Sequence, residues 1–337
     1  MELLRSRGAF VSFIAKALSD DFILIDIGCS GGIDSPWRDF GASLRSYGFD
    51  PNITEIDRLT RQEHNPKIKY IAAHVDAGCF KNPVLNRNPW SRLTVHRTLS
   101  ITEASRLAAS TDKKTKSNDW TSIPLAARRI RISDFLDEQT IDDIDFVKID
   151  VDGSDFDILR SLENALSAKK VIGVGIEVNY FGSGSDDEHS LHNVDRFMKR
   201  AGYELFDLTK RTYSMAALPQ PYALSVPAQS VSGRPLQGDA VYLRDLAANE
   251  HEKTRSSFGA QKTAKLACMF SLIGQPGSAA EILLCDRERL EEHFSVDKAL
   301  DLLAAESIIG RNTRKSHREI VKALEANSRE LYKSSWR

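Results

Sequence analysis

The 337 residues carry 46 Lys and Arg against 47 Asp and Glu, a formal charge of −1, with 41% hydrophobic residues. Such a balance excludes the global basic field of a nucleic-acid binder. No apolar run approaches the roughly 20 residues of a membrane span. The four cysteines, Cys29, Cys79, Cys268 and Cys285, show no CxxC pair and no zinc spacing, so they read as reduced thiols of a cytoplasmic protein. The opening stretch, MELLRSRGAFVSFIAKALSDD, is too short and too broken by charge to be a signal peptide. Its apolar residues, among them Phe10, Phe13 and Ile14, fit an N-terminal helix within residues 1–20 packed on the core.

The first strand is expected at 22–27, FILIDI. A bare turn follows, with Gly28, Gly31 and Gly32 inside five positions. Strand, glycine-rich turn and helix is how α/β proteins approach a nucleotide-like ligand. The spacing here is G-x-x-G-G and not G-x-G-x-x-G, which counts against a nicotinamide oxidoreductase. The segment DIGCSGG is similar to the first motif of class I S-adenosylmethionine-dependent methyltransferases. Glycine at 28 and 31 lets the chain pass a cofactor without Cβ contact. Amides of the turn and of a following helix start can hold a carboxylate. Asp26, Gly28, Cys29, Ser30 and Gly31 are the cofactor candidates here.

Asp50, in YGFDPN, ends the expected second strand, where a carboxylate can accept both ribose hydroxyls of a nucleoside. Its alternative role is capping the helix expected at 53–62. The third strand, 69–73, is followed by His74 and Asp76; Asp76 is a cofactor candidate near the adenine, and His74 a reserve base. Residues 81–127 are polar and read as an insertion. Further strands are expected at 145–149, 171–178, 203–208 and 240–244, with helices at 155–166 and 190–200. These strands do not alternate, as in a sheet covered on both faces. The last two strands are expected to form an antiparallel hairpin joined by a loop bearing Pro219, Pro221, Pro227 and Pro235. From about 250 the chain turns helical, near 260–273, 278–294, 296–308 and 314–332.

Residues 131–181, with DFVKIDVDG, SDFDILRSLENAL and GIEVNYFG, resemble the FkbM-type methyltransferase family, as do FMKRAGYELFDL and GDAVYLRD further on. Asp152 stands where that family more commonly has Glu. The resemblance covers roughly 20–245. It implies a class I methyltransferase, a Rossmann-like doubly wound α/β sheet with an antiparallel terminal hairpin. The expected layout is an N-terminal helix at 1–20, the methyltransferase domain at 21–248 and a helical C-terminal extension at 249–337. The implied reaction is methyl transfer from S-adenosyl-L-methionine to a hydroxyl of a sugar, glycan or other small metabolite.

An alcohol is a poor nucleophile until its proton is taken, so a base is needed. Asp150 and Glu177, at the ends of the fourth and fifth strands, are the first catalytic candidates, with His74 and His192 in reserve. Such a carboxylate pair can share a proton, bind a divalent ion or grip sugar hydroxyls, and no residue is assigned to a metal. Lys148 is expected to pair with a neighbouring acid. His189 and His192, in DDEHSLH, would share a helix face at this spacing. The helical tail is expected to serve homodimer packing or to cover the substrate pocket. A catalytically silent module binding a protein or glycan partner is the alternative reading.

Overall fold

The computed structural model describes residues 8–77, 126, 128–151, 153–182, 184–217, 222–231, 233–248, 251–307 and 316–327. A short helix α1 (Ala9–Ala15) leads to β1 (Phe22–Ile27), buried at five of its six positions. A strand buried that continuously has both faces covered, as the centre of an α/β sheet requires. The turn after β1 runs into a 3-10 stretch, Ser35–Ser43, and then β2 (Leu44–Asp50). The helix expected directly after the glycine turn is therefore a 3-10 segment. Pro36 at its start and Gly41 at φ 56 with ψ −126 interrupt any regular α-helix there.

Helix α2 (Ile53–Gln62) is capped by Asn52, whose side chain accepts the Glu55 N–H. There follow β3 (Ile68–Ala72), β4 (His74–Val75), β5 (Arg129–Ile130), α3 (Ile132–Glu138) and β6 (Phe146–Ile149). Next come α4 (Asp155–Ser161), α5 (Glu163–Ala168), β7 (Gly173–Asn179), α6 (Leu191–Arg200) and β8 (Glu204–Leu208). The sheet closes with β9 (Arg211–Ala217), β10 (Tyr222–Gln229) and β11 (Arg234–Leu243). Its order is β10-β9-β11-β7-β6-β1-β2-β3, with β8 also on β11. Pairs β2–β3 and β6–β7 are parallel, while β11 runs antiparallel to β7, β8 and β9. This is the mixed, centrally parallel sheet the sequence predicts.

One expectation fails within it. Strands β8 and β11 do pair antiparallel, but β9 and β10 occupy what was expected to be a proline-bearing loop. Proline donates no N–H to a ladder and is tolerated at edges and irregularities. Pro227 lies on the edge strand β10, between Ala223 and Ala228 where the register shifts. Pro235 sits beside the irregularity between Pro235 and Gln237. Pro219 and Pro221 lie outside the described residues, as does the expected insertion except Ala126.

The chain divides into two compact units, one of residues 1–24, 33–45 and 244–337, the other of 25–32 and 46–243. The first holds α1 and the C-terminal helices α7 (Glu252–Ser257), α8 (Ala260–Leu272), α9 (Pro276–Cys285), α10 (Arg287–Glu291), α11 (Val296–Ser307) and α12 (His317–Ala326), with α1 packed on α8 and α11. Phe22 stacks on Phe40 at 4.1 Å between centroids. Helix α8 is buried continuously from Lys262 to Leu272, so it forms the axis of this unit. The helix expected at 278–294 breaks at Asp286, whose carboxylate takes a two-point bond from Arg289. Among the described residues no helix is long and apolar enough to cross a membrane.

Candidate active site at the strand ends

The glycine turn belongs to the second unit, and its glycines have different reasons. Gly28 has φ +85, and a Cβ there would stand 1.8 Å from the carbonyl oxygen of Asp150. It is demanded by the protein itself, because the end of β1 lies against the end of β6. Gly31 has φ +86, and a Cβ there would meet nothing within 4 Å. Only Gly31 faces open space, so the sequence argument for cofactor approach applies to Gly31 and not to Gly28.

The turn's amides can be accounted for one by one. The N–H groups of Gly28 and Cys29 both donate to the carbonyl of Phe49, at 2.8 and 3.1 Å, and that of Gly32 to the carbonyl of Cys29 at 2.9 Å. Gly31 donates to Oε1 of Glu55 at 3.0 Å. Ser30 is exposed at the tip of the turn. The Cys29 side chain is fully buried, and burial drives its thiol far above the ordinary range. It presents no side chain to a ligand, because its Sγ is packed against Gly48 of β2.

Asp26 is 2% exposed, and Lys148 holds its carboxylate at 3.0 Å. The same ammonium donates to the carbonyl of Gly28 at 3.2 Å and reaches Asp150 at 3.8 Å. Asp26 and Lys148 thus form an internal ion pair with both side chains buried. Asp50, at the end of β2, accepts the Asn52 N–H through Oδ1 at 2.8 Å. Burial raises its carboxyl above the ordinary value, and that bond opposes the shift. The capping role considered for it belongs to Asn52. His74 lies in β4, paired with β5, near enough that its charge favours ionised Asp50. Asp76 follows, its N–H on the carbonyl of Ile130 and its carboxylate 3.7 Å from Arg129.

A second group gathers where β6 and β7 end. Their register pairs Ile149 with Ile176, so the next residues along, Asp150 and Glu177, stand side by side. The antiparallel β11 adds Asp239 directly opposite Glu177. Arg211, opening β9, donates from Nη2 to Glu177 at 2.6 Å and to Asp239 at 3.3 Å. Burial pushes the Glu177 carboxyl up to about 8; Arg211 opposes the shift, and the charges of Asp155, Asp150 and Asp239 reinforce it. The side chain of Asp150 is 32% exposed and is raised mainly by burial, with Lys148 opposing. Asp155, fully buried, accepts the N–H groups of Val151 and Gly153, both at 2.9 Å, and so fixes the loop after β6. Asp152 lies outside the described residues.

Of the two histidines, His189 joins this group. Its Nε2 bonds the carbonyl of Glu177 at 2.7 Å, and its Nδ1 lies 3.8 Å from Asp155. His192 is exposed, 3.4 Å from the Ser190 hydroxyl, in an open pocket of about 580 Å³ that also contains Asp195 and Lys199. The shared helix face predicted for the two fails because α6 begins only at Leu191, leaving His189 in the preceding loop. Arg211 and Asp239 were not among the sequence candidates. For Asp239 a signal existed: an acid at the head of the buried run AVYL. Arg211 carried none, since only the antiparallel return of β9 brings it to Glu177.

Residues 41–205 match the family model described as the methyltransferase FkbM domain. The chain carries an FkbM methyltransferase domain. Methyl transfer is its chemistry, and S-adenosylmethionine is the cofactor expected of it. No curated protein sequence matches the chain. Among solved structures, it is similar to a precorrin-6y C5,15-methyltransferase from Geobacter metallireducens, 11% identical with a TM-score of 0.30, over 72% of this chain and 91% of that one. A TehB-like SAM-dependent methyltransferase from Corynebacterium glutamicum is 13% identical, TM-score 0.28, over 70% and 87%. A magnesium protoporphyrin IX methyltransferase from Synechocystis, solved with SAM bound, is 8% identical, TM-score 0.31, over 70% and 77%. Likenesses at this level decide nothing about the acceptor of the FkbM domain.

Proposed function

We propose that the FkbM domain O-methylates a hydroxyl of a small, polyhydroxylated acceptor, a sugar or glycan, using S-adenosylmethionine. The observation that carries this reading is the buried Glu177 carboxyl, raised to about 8 and held in place by Arg211. A base with a value near working pH can both hold the correct ionisation and drive proton transfer.

The residues fit the cofactor. A Cβ at Gly31 would meet no protein atom within 4 Å, and that open space admits the amino-acid end. Asp50 spends Oδ1 on Asn52 and keeps Oδ2 for ribose hydroxyls. His74 and Asp76 lie further along the chain, at β4 and just beyond it. The bound cofactor supplies a methyl group already activated as a sulfonium, so the chain's task is positioning and proton removal. Glu177 takes the acceptor hydroxyl proton onto its carboxylate. Arg211 orients that carboxylate and, by charge, keeps it from being neutral at every working pH. Asp150, open to solvent beside it, accepts a hydrogen bond from a neighbouring hydroxyl. Four acids, Asp150, Asp155, Glu177 and Asp239, outnumber the cations Arg211 and Lys148 here, which disfavours phosphorylated or sulfated acceptors and favours neutral ones.

The test is transfer of labelled methyl from S-adenosylmethionine to a panel of neutral, phosphorylated and sulfated sugars, with products located by mass spectrometry. Methyl ethers on neutral sugars, lost on Glu177→Gln while S-adenosylhomocysteine still binds, support the reading. Label on nitrogen or carbon of another acceptor, or undiminished transfer by Glu177→Gln, overturns it.

A further inference from the structure

The Gly31 N–H is the one amide of the turn, among those described above, whose partner is a movable side chain. Gly28, Cys29 and Gly32 are committed to backbone carbonyls that belong to the sheet and to the turn itself. The Gly31 partner, Glu55 Oε1, also takes Nη2 of Arg58 at 2.5 Å, while Oε2 takes Nε of Arg58 at 2.8 Å. Arg58 is steadied in turn by Gln62 at 2.6 Å. One backbone N–H and a forked guanidinium thus bracket a single carboxylate at the lip of the open space over Gly31. That pair of donors is a strong receptor for a carboxylate. Its arginine pair and the Gly31 bond hold the Glu55 carboxyl below its ordinary value, so the group is ionised at working pH.

The methionine end of S-adenosylmethionine carries a carboxylate of the same chemistry. We propose that Glu55 is a displaceable cap on the cofactor's amino-acid subsite: it holds the Gly31 N–H until the cofactor carboxylate replaces it, and Arg58 then faces the incoming charge. This rests on the cofactor reading above. The capped turn is a binding-incompetent state, so it weakens the apparent affinity by the fraction of time that Glu55 occupies the amide. Because Glu55 is half-buried and Arg58 exposed on α2, the exchange asks for rotamer changes only and leaves the strand ends in place.

The experiment is calorimetric titration of the full chain with two probes, S-adenosylhomocysteine and 5′-methylthioadenosine. The second has the nucleoside and sulfur but no amino-acid end. Wild type, Glu55→Gln and Glu55→Ala are compared. The expected result is S-adenosylhomocysteine bound roughly three- to tenfold more tightly by Glu55→Ala, with Glu55→Gln between, and 5′-methylthioadenosine unchanged. Unchanged or weaker S-adenosylhomocysteine binding overturns the cap; a weakening would make Glu55 a partner of the cofactor's ammonium instead. Equal changes for both probes also overturn it, since the turn as a whole would have altered. If neither probe binds any form of the protein, the cofactor reading itself falls, which is a different outcome from equal binding by all three.

Discussion

Nη2 of Arg211 stands 2.6 Å from Oε1 of Glu177, and the two residues come from strands that β11 separates in the sheet. This bond reaches across β11, whose ladders join β7 to the antiparallel return. It also opposes the larger effect of burial on the carboxyl of the group proposed as base.

Loss of that guanidinium leaves a buried carboxylate beside three other acids. Arg211→Met is expected to cost roughly 1–3 kcal/mol, less than a fully buried pair because the arginine is 32% exposed. The same change moves the Glu177 carboxyl further up, so the alkaline rise of activity shifts to higher pH. Urea unfolding and a pH–rate profile of the variant measure the two effects.

Glu177 also makes stability depend on pH. Its folded-state value of about 8 lies above the ordinary 4.5, so the fold favours the protonated carboxyl. The stabilisation is present below about 4.5 and is lost as pH rises through about 8. Activity moves in the opposite sense, rising over the same interval as the base ionises. Glu177→Gln is expected to flatten the melting temperature between pH 5 and 8 and to reduce turnover by roughly 10²-fold or more. Thermal melts at several pH values, alongside rates, separate the two consequences.

The two key glycines answer differently to alanine. Gly28→Ala drives a Cβ into the Asp150 carbonyl and strains a left-handed residue, for a loss of roughly 3 kcal/mol or more. Gly31→Ala meets no protein atom and costs about 1–2 kcal/mol from backbone strain alone. The expected outcome is poor folding for the first, and for the second a folded protein with weakened S-adenosylhomocysteine binding. Circular dichroism and calorimetry on both variants make the comparison.

Lys148 and Asp26 are both almost wholly buried and 3.0 Å apart. Lys148→Met strands the Asp26 carboxylate in the sheet, at an expected cost of about 3–5 kcal/mol. Lys148→Met combined with Asp26→Asn removes the stranded charge and recovers much of that loss. A double-mutant cycle in urea gives the coupling directly.

Much of the parallel core was legible from runs such as FILIDI and VIGVGIEV, because a strand covered on both faces must be apolar throughout. The pairing of Asp150 with Glu177 was legible too, since each is the first acid where its run ends. Of the antiparallel return, the pairing of β8 with β11 was legible, while β9 and β10 were not. Its strands carry prolines that local propensity assigns to a loop, and they form only because β7 and β9 offer β11 ladders on either side. His189 was legible as a residue but not as a neighbour of Glu177, because that depends on where α6 begins.

The glycine turn, the succession of buried strands along the chain and the acids at their ends are readable from residue order, because they are local matters of backbone freedom and burial. Tertiary structure alone decided that Gly28 serves the protein and Gly31 the open space, that Asp26 belongs to Lys148, and that Arg211 belongs to Glu177. Each of these joins residues far apart in the chain. Their meeting is set by sheet order and register, which composition and spacing do not encode.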